Sequence, residues 1–189
     1  MLTVLVIDES RSRAGEICAG LALAGYQVAA ILAGAENLTA EVEKLQPDVI
    51  LIDTDSPSRD TLEHLAAMNK NMPRPVVIFT QEDGQATIRD AVKAGVSAYI
   101  VDGLDPKRIK PIVEVARARF EDTQALRREL DEISQKLSDR KLVDKAKGVL
   151  MKARGIDEDA AYHAMRKLAM ERGQTMAKVA RDVIDMARV

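Results

Sequence analysis

The sequence predicts an α/β protein, with a doubly wound five-stranded parallel sheet followed by a long helix and a C-terminal bundle of three helices. Short runs rich in Val and Ile alternate with stretches of helical spacing over residues 1–118. Beyond Pro111 the next Gly is Gly148, so little interrupts a long helix. The 189 residues are 47% hydrophobic and 31% charged, which is ordinary for a globular protein and excludes a disordered or collagen-like chain.

The alternation places each element of the sheet in order. The predicted strands cover residues 3–7, 27–32, 49–52, 75–79 and 98–101, and the helices between them cover 11–23, 37–45, 58–68 and 84–93, with a fifth beginning near Pro106. Each apolar run is too short for a helix, and the intervening helices serve as crossovers between parallel strands.

Polar side chains follow four of these strands. Asp8 and Glu9 end the first strand and Asp53 ends the third. Thr80 and Asp102 end the fourth and the fifth. Because parallel strands end at one edge of a sheet, we expect these side chains to lie close together. Carboxylates there could bind Mg²⁺ and accept a phosphoryl group, although each alone could equally cap a helix or face solvent.

Residues 1–120 resemble the receiver domain of bacterial response regulators, a flavodoxin-like fold. The resemblance is carried by Val-Leu-Val-Ile-Asp-Glu at 4–9, Asp53 with Pro57 four residues later, Thr80 at a strand end and Tyr99 on the fifth strand. It implies that Asp53 is the phosphoacceptor, that Asp8, Glu9 and Asp53 form a Mg²⁺ site, and that Thr80 and Tyr99 are the receiver switch.

One member of the receiver pattern is missing. By the resemblance, a Lys followed by Pro is expected three residues after Tyr99, whereas Asp102 and Gly103 stand there. A carboxylate at that position repels a phosphoaspartate. We therefore expect Asp53 to be phosphorylated weakly or not at all, and the domain to work mainly by docking another protein.

Residues 119–137 are predicted to form a connecting helix. Leu126, Leu130, Ile133 and Leu137 are spaced by 4, 3 and 4 residues, which is the seam of a coiled coil. The seam covers barely two heptads, so the same face could instead lie on the preceding domain. We favour a homodimer, formed permanently or on binding nucleic acid.

The last domain, residues 138–189, is predicted to contain three short helices. Gly155 and Gly173 end helices, and Asp157 and Thr175 suit the N-cap position. Residues 140–181 hold 11 basic and 5 acidic side chains, a local charge of +6 that attracts a polyanion but also suits a solvated helix face.

The same domain resembles the ANTAR domain of transcription antiterminators. The matching residues are Lys-Leu-Val-Asp-Lys-Ala-Lys-Gly-Val-Leu-Met at 141–151, Glu158, the pairs 161–162, 166–167 and 169–170, and the pairs 179–180 and 183–184. The resemblance implies binding to paired hairpins in leader mRNA, and within it the chain is similar to the nitrate assimilation antiterminators, which a nitrate-sensing regulatory protein (NasS-like) holds inactive. We assign RNA binding to Lys145, Lys147, Arg154, Tyr162, Arg166 and Lys167.

Several other classes are disfavoured. Cys18 is the one cysteine, no apolar run approaches the ~18 residues of a membrane span, and the N-terminus lacks a signal-peptide pattern, so we expect a cytoplasmic protein without a membrane segment. His64 and His163 have no catalytic partner at a suggestive spacing, so we expect no enzyme. The alternatives left open are a phosphorylation-dependent DNA-binding response regulator and a protein-binding adaptor.

Overall fold

The computed structural model describes residues 1–9, 13–102 and 105–187. Its strands are β1 (Thr3–Asp8), β2 (Gln27–Leu32), β3 (Val49–Asp53), β4 (Val76–Thr80) and β5 (Ala98–Val101). Its helices are α1 (Ala14–Leu23), α2 (Leu38–Leu45), α3 (Arg59–Asn71), α4 (Gln85–Lys93), α5 (Ile109–Arg154), α6 (Glu158–Arg172) and α7 (Met176–Met186). The described residues do not include Arg11, where the sequence predicts the first helix to begin. They also do not include Gly103 or the final residues 188–189.

The strands form one parallel sheet in the order β2-β1-β3-β4-β5, which confirms the predicted doubly wound sheet. The chain moves outward in opposite directions from β1 and β3, so the crevice of a doubly wound fold falls at the carboxyl ends of these two strands. Asp8 and Asp53 are register partners there.

Side chains that alternate along the strands build two apolar layers. Leu5, Ile50 and Ile78 pack with the apolar faces of α2, α3 and α4. Val6 and Phe79 belong to the other layer, which α1 and the first turns of α5 cover. Because both faces of the sheet are covered, β1, β3 and β4 are buried almost throughout, and the polar residues at their ends are carried into the interior.

One continuous helix runs across the predicted connecting segment, residues 119–137. α5 is a single helix of 46 residues that includes the last predicted helix of the first domain, the connecting helix and the first helix of the tail. The chain divides into two compact units, Met1–Gln124 and Ala125–Val189, and this division falls inside the predicted connecting range 119–137. Residues 112–147 contain no Pro and no Gly, so the hydrogen-bond ladder has no reason to break, and Gly148 is accommodated within it.

The tail forms the predicted helices with the predicted caps. Asp157 accepts the Ala160 N–H at 2.8 Å, and the Thr175 hydroxyl accepts the Lys178 N–H at 3.3 Å. Gly173 ends α6 with φ 60°, a left-handed conformation that glycine adopts without a Cβ penalty. The core of this unit is built from three helices and consists of Ala146, Met165, Ala169, Val179, Ala180 and Ile184.

Nowhere in the described part of the chain does a helix combine the length and apolar character that a membrane crossing demands.

Met165 and Met170 provide a matched test of the tail core, because both lie on α6 but Met165 is 1% exposed and Met170 is 74% exposed. Met165→Ala is expected to destabilise this unit by about 2–5 kcal/mol through lost burial and a residual cavity, and Met170→Ala by less than about 0.5 kcal/mol. Hydrogen exchange of α6 and α7 amides in the full chain measures both; equal loss of protection would contradict the assigned core.

Candidate functional site

The carboxyl edge of the sheet brings together the acidic residues that the sequence predicts there. Asp8 and Asp53 lie at the ends of adjacent strands and are 1% and 0% exposed. Glu9 follows directly, and its N–H donates to the Asp53 carbonyl at 3.3 Å. We call Asp8, Glu9 and Asp53 the acidic crevice.

Glu9 is bound to the segment that leads into α3. Its Oε2 accepts the Thr54 hydroxyl at 2.7 Å, and its Oε1 accepts the Thr61 hydroxyl at 2.8 Å. Both threonines are buried, and Thr61 lies in the first turn of α3, whose N-cap is Ser58. Each carboxylate oxygen of Glu9 therefore already has a hydrogen-bond donor from the protein.

Asp53 is paired with a cation that the sequence reasoning missed. Arg13, the N-cap residue of α1, places its Nε 2.9 Å from Asp53 Oδ2. Its Nη2 donates to Asp55 Oδ1 at 3.1 Å. The signal available in the sequence was an Arg just before the first helix, since that segment leaves the same edge of the sheet as the acidic crevice.

The protonation of Asp53 reflects opposing effects. Burial raises the pKa of Asp53 above its ordinary value, and the Arg13 guanidinium lowers it. The carboxylates of Asp8 and Asp55 add to the rise. The net pKa of Asp53 is raised, so the ionised carboxylate is held at this position at a cost to the fold.

The resemblance to receivers implies Mg²⁺ at the acidic crevice, and in this arrangement both Glu9 and Asp53 already have partners within the chain. The described residues contain no group of three His, Cys, Asp or Glu side chains that could hold one. Glu9 is committed to two hydroxyls, and Arg13 stands beside Asp53. Asp8, Glu9 and Asp53 are thus brought to one edge of the sheet as predicted, and Mg²⁺ binding by these three residues stays a prediction.

The two predicted switch residues are joined through one backbone unit. The buried Thr80 hydroxyl donates to the Asp55 carbonyl at 2.8 Å and accepts the Glu82 N–H at 3.1 Å. The Tyr99 hydroxyl donates to the Glu82 carbonyl at 3.0 Å, and burial raises the pKa of Tyr99. Tyr99 is therefore held inward against the core, in contact with the same loop as Thr80.

Asp102 follows β5 at the position where a receiver is expected to carry Lys. It is exposed, and its backbone has φ 72°, a left-handed conformation that Asp tolerates better than most residues. The crevice therefore gains no cation from this position.

In the tail, Lys147 joins two helices. Its side chain is only 15% exposed, and its Nζ lies 2.7 Å from both Asp144 Oδ1 and Glu158 Oε1. Hydrogen bonds to these two carboxylates raise the pKa of Lys147, with Asp144 contributing most. Glu158 is the first residue of α6, so this ammonium fastens α6 to α5 and has little surface left for RNA.

The remaining predicted RNA-binding residues are exposed and fall into separate groups. Tyr162 and Arg166 lie one turn apart on α6, and Lys167 follows. Lys145 and Arg154 are nine residues apart on α5, or about two and a half turns, so they point to opposite sides of that helix. The structure therefore brings Tyr162 and Arg166 together and does not unite the predicted set on one face.

Tyr162 is an exposed ring and is not part of the bundle core. It is 40% exposed and meets the His163 ring edge-on at 6.0 Å between centroids. Beside it, a shallow depression of about 360 Å³ is lined by His163, Arg166, Lys167, Met170 and Glu171. His163 and Met170 were missed by sequence reasoning, although both recur at helical spacing with Lys167.

Two family models match the chain. The response regulator receiver domain matches residues 4–114, and the ANTAR domain matches residues 131–184. The chain therefore belongs to the response regulators and carries a receiver domain followed by an ANTAR domain. This domain pair defines a non-enzymatic regulator.

Known regulators are similar to the chain over different lengths. The transcriptional regulatory protein PdtaR of Mycobacterium tuberculosis is 29% identical over 161 residues, which cover 85% of this chain and 78% of that protein. The nitrate regulatory protein of Klebsiella oxytoca is 36% identical over 75 residues, 40% of this chain and 19% of that protein. The aliphatic amidase regulator of Pseudomonas aeruginosa is 23% identical over 123 residues, with coverages of 65% and 63%.

Solved structures support the fold of the first unit. The CheY-like response regulator receiver domain protein of Methanospirillum hungatei superposes with a TM-score of 0.56 at 20% identity, over 65% of this chain and 98% of that one. The signal receiver domain of a modulated diguanylate cyclase from Desulfovibrio desulfuricans gives the same TM-score at 20% identity, over 64% and 98%.

The raised pKa of Asp53 predicts a pH dependence of receiver stability. The folded state holds the Asp53 proton more tightly than the unfolded state. Ionisation of Asp53 therefore does not destabilise the folded receiver unit below the ordinary pKa of 3.8, and it destabilises this unit increasingly as the pH rises from there through the raised value. Asp53→Asn removes the charge, so its unfolding free energy should decline less with rising pH. Urea unfolding of the receiver unit in EDTA, from about pH 4 to about pH 8, measures this slope. Asp83→Asn, at an exposed site, should keep the wild-type slope, and equal slopes for all three chains would refute the expectation.

Proposed function

We propose that the chain is a transcription antitermination regulator that acts in the cytoplasm and binds hairpins in leader mRNA through its ANTAR domain. ANTAR domains bind RNA, and residues 131–184 match that family. The observation that carries the proposal is the exposed pair of Tyr162 and Arg166 on α6. RNA loops are bound by such pairs, because an unpaired base stacks on an aromatic ring and a neighbouring cation contacts the phosphate.

The α6 face formed by Tyr162, Arg166 and Lys167 is the primary contact in this proposal. Tyr162 stacks on an unpaired loop base, and the depression beside Arg166 gives that base or its neighbour a place outside the stem. Lys145 and Arg154 contact additional phosphates from α5. Lys147 contributes by holding α6 in position, since its ammonium is already paired with Asp144 and Glu158.

A DNA-binding response regulator is the main alternative, and the packing of α7 argues against it. A recognition helix would use side chains in its first turns to read base edges. In α7, Ala177, Val179 and Ala180 are buried in the bundle, and Lys178 pairs with Asp182 at 2.8 Å. The start of this helix therefore serves the core.

Regulation by protein docking fits the receiver better than regulation by phosphorylation. Asp53 is paired with Arg13, and Asp102 replaces the expected Lys. The similarity to the Klebsiella oxytoca nitrate regulatory protein supports nitrate or nitrite assimilation genes as the target and a nitrate-sensing regulatory protein, NasS-like, as the partner. In this proposal the partner controls whether the ANTAR domain is available to RNA.

The exposed seam of α5 supports a homodimer. Leu126, Leu130, Ile133 and Leu137 are all more than half exposed and repeat at coiled-coil spacing. A second copy of the chain offers the same seam and covers these side chains, and a dimer presents two α6 faces to paired hairpins.

RNA binding is tested with two arginines of α6. Arg166→Gln should weaken binding to a paired-hairpin leader RNA and reduce the slope of log affinity against log salt by about one, because one phosphate contact is lost. Arg172→Gln, the same change at the exposed end of α6, is the control and should leave affinity and slope near wild type. Fluorescence anisotropy at several salt concentrations gives both quantities.

Tyr162→Ala tests the aromatic contact. We expect a loss of about 1–3 kcal/mol in RNA binding through lost stacking, with unchanged helicity because the ring is outside the core. Competition with duplex DNA of equal length is the companion measurement. Stronger binding to the duplex, or an RNA affinity indifferent to both Tyr162 and Arg166, rejects the proposed face.

The seam is tested by Leu130→Asp, which places a charge at the centre of the proposed dimer contact. We expect the chain to sediment as a monomer at tens of micromolar, because a buried unpaired carboxylate is costly. Arg128→Asp lies on the other side of α5 and should remain dimeric. A wild-type chain that sediments as a monomer with or without RNA is the contrary result.

A further inference from the structure

We infer that Arg13 is the resident counter-ion of Asp53, and that a divalent cation binds the acidic crevice only by displacing this guanidinium. The inference concerns the receiver unit and does not depend on RNA binding.

The geometry of Arg13 supports this role. Its Nε is 2.9 Å from Asp53 Oδ2, and its Nη2 is 3.1 Å from Asp55 Oδ1, so one guanidinium bridges two carboxylates. The Arg13 side chain is 28% exposed and that of Asp53 is fully buried. The guanidinium therefore contacts the buried carboxylate and is itself partly exposed to solvent.

Asp53 depends on this pairing for compensation of its charge. Within the described part of the chain, neither of its carboxylate oxygens accepts a well-formed hydrogen bond. A buried carboxylate without donors or a nearby cation is strongly unfavourable. The Arg13 guanidinium thus supplies the positive charge that offsets the buried Asp53 carboxylate.

The rest of the crevice is arranged around a resident cation. Both Glu9 oxygens accept hydrogen bonds from the hydroxyls of Thr54 and Thr61, so this carboxylate is already held by groups of the chain. The position of the missing Lys is held by Asp102, which is exposed. A divalent ion beside Asp53 would also be repelled by Arg13 unless that side chain moved away.

Arg13→Gln tests the inference by removing the charge while keeping a polar side chain. Mn²⁺ is added to the full chain, and paramagnetic broadening of the Ile7 and Ile52 amide signals reports binding at the crevice, since both residues precede its carboxylates on the strands. We expect the Mn²⁺ concentration at half-maximal broadening, the midpoint, to be at least about tenfold lower than for wild type, because the variant lacks the repulsion from one nearby cation. Arg59→Gln, an exposed arginine of the same unit, should keep the wild-type midpoint.

Two further chains separate the outcomes. Arg13→Gln combined with Asp53→Asn should lose the tighter binding, and retention of it would overturn the inference because the ion would then not be held by Asp53. If Arg13→Gln does not fold, Arg13→Lys takes its place, because it lacks the planar fork that reaches Asp53 and Asp55 together. Its midpoint should then be at least about threefold lower than that of wild type. Equal midpoints for wild type and the Arg13 variant also overturn the inference.

Discussion

A carboxylate that the sheet carries into the interior must be matched by a cation, and the rest of the receiver crevice is organised by that requirement. β1 and β3 are buried on both faces, so Asp8 and Asp53 at their ends are removed from water. Arg13 meets Asp53 from the start of α1, and two threonine hydroxyls meet Glu9. The acidic edge is thus satisfied by groups of the chain itself.

The same cation connects the acceptor position to the switch residues. Arg13 binds the Asp55 side chain, while the Asp55 carbonyl accepts the Thr80 hydroxyl. Thr80 and Tyr99 in turn hold the two sides of the Glu82 backbone. A partner that shifts Asp55 would therefore act on Asp53 and on Tyr99 together, which suits control by docking.

The sequence predicted the parts of the fold that depend on local pattern. Strand ends follow from apolar runs and the caps of α6 and α7 from single residues, so Asp8, Asp53, Asp157 and Thr175 stand where expected. Pairings between distant segments were beyond that reasoning. Nothing in the spacing relates Arg13 to a residue forty positions later.

The tail shows the same limit. From the sequence alone, Lys147 resembles the other exposed cations of the tail. In the folded unit α6 packs beside it and places Glu158 at its ammonium. Tyr162, by contrast, was predicted to contact RNA, and its ring is exposed. Burial of a side chain depends on how three helices pack, and a sequence periodicity constrains that only partly. The continuity of α5 was signalled by the absence of Pro and Gly from residues 112–147, although the predicted domain boundaries divided this stretch.

The leucines of α5 have a further consequence. An isolated helix gains most of its stability from burying an apolar stripe, and the middle of α5 exposes its stripe. If a second copy covers that stripe, order in this segment follows mass action. At low cellular concentration of the chain, the middle of α5 would then unfold locally and be open to proteases. At higher concentration it would stay helical, so gene dosage itself would set the stability of this connector.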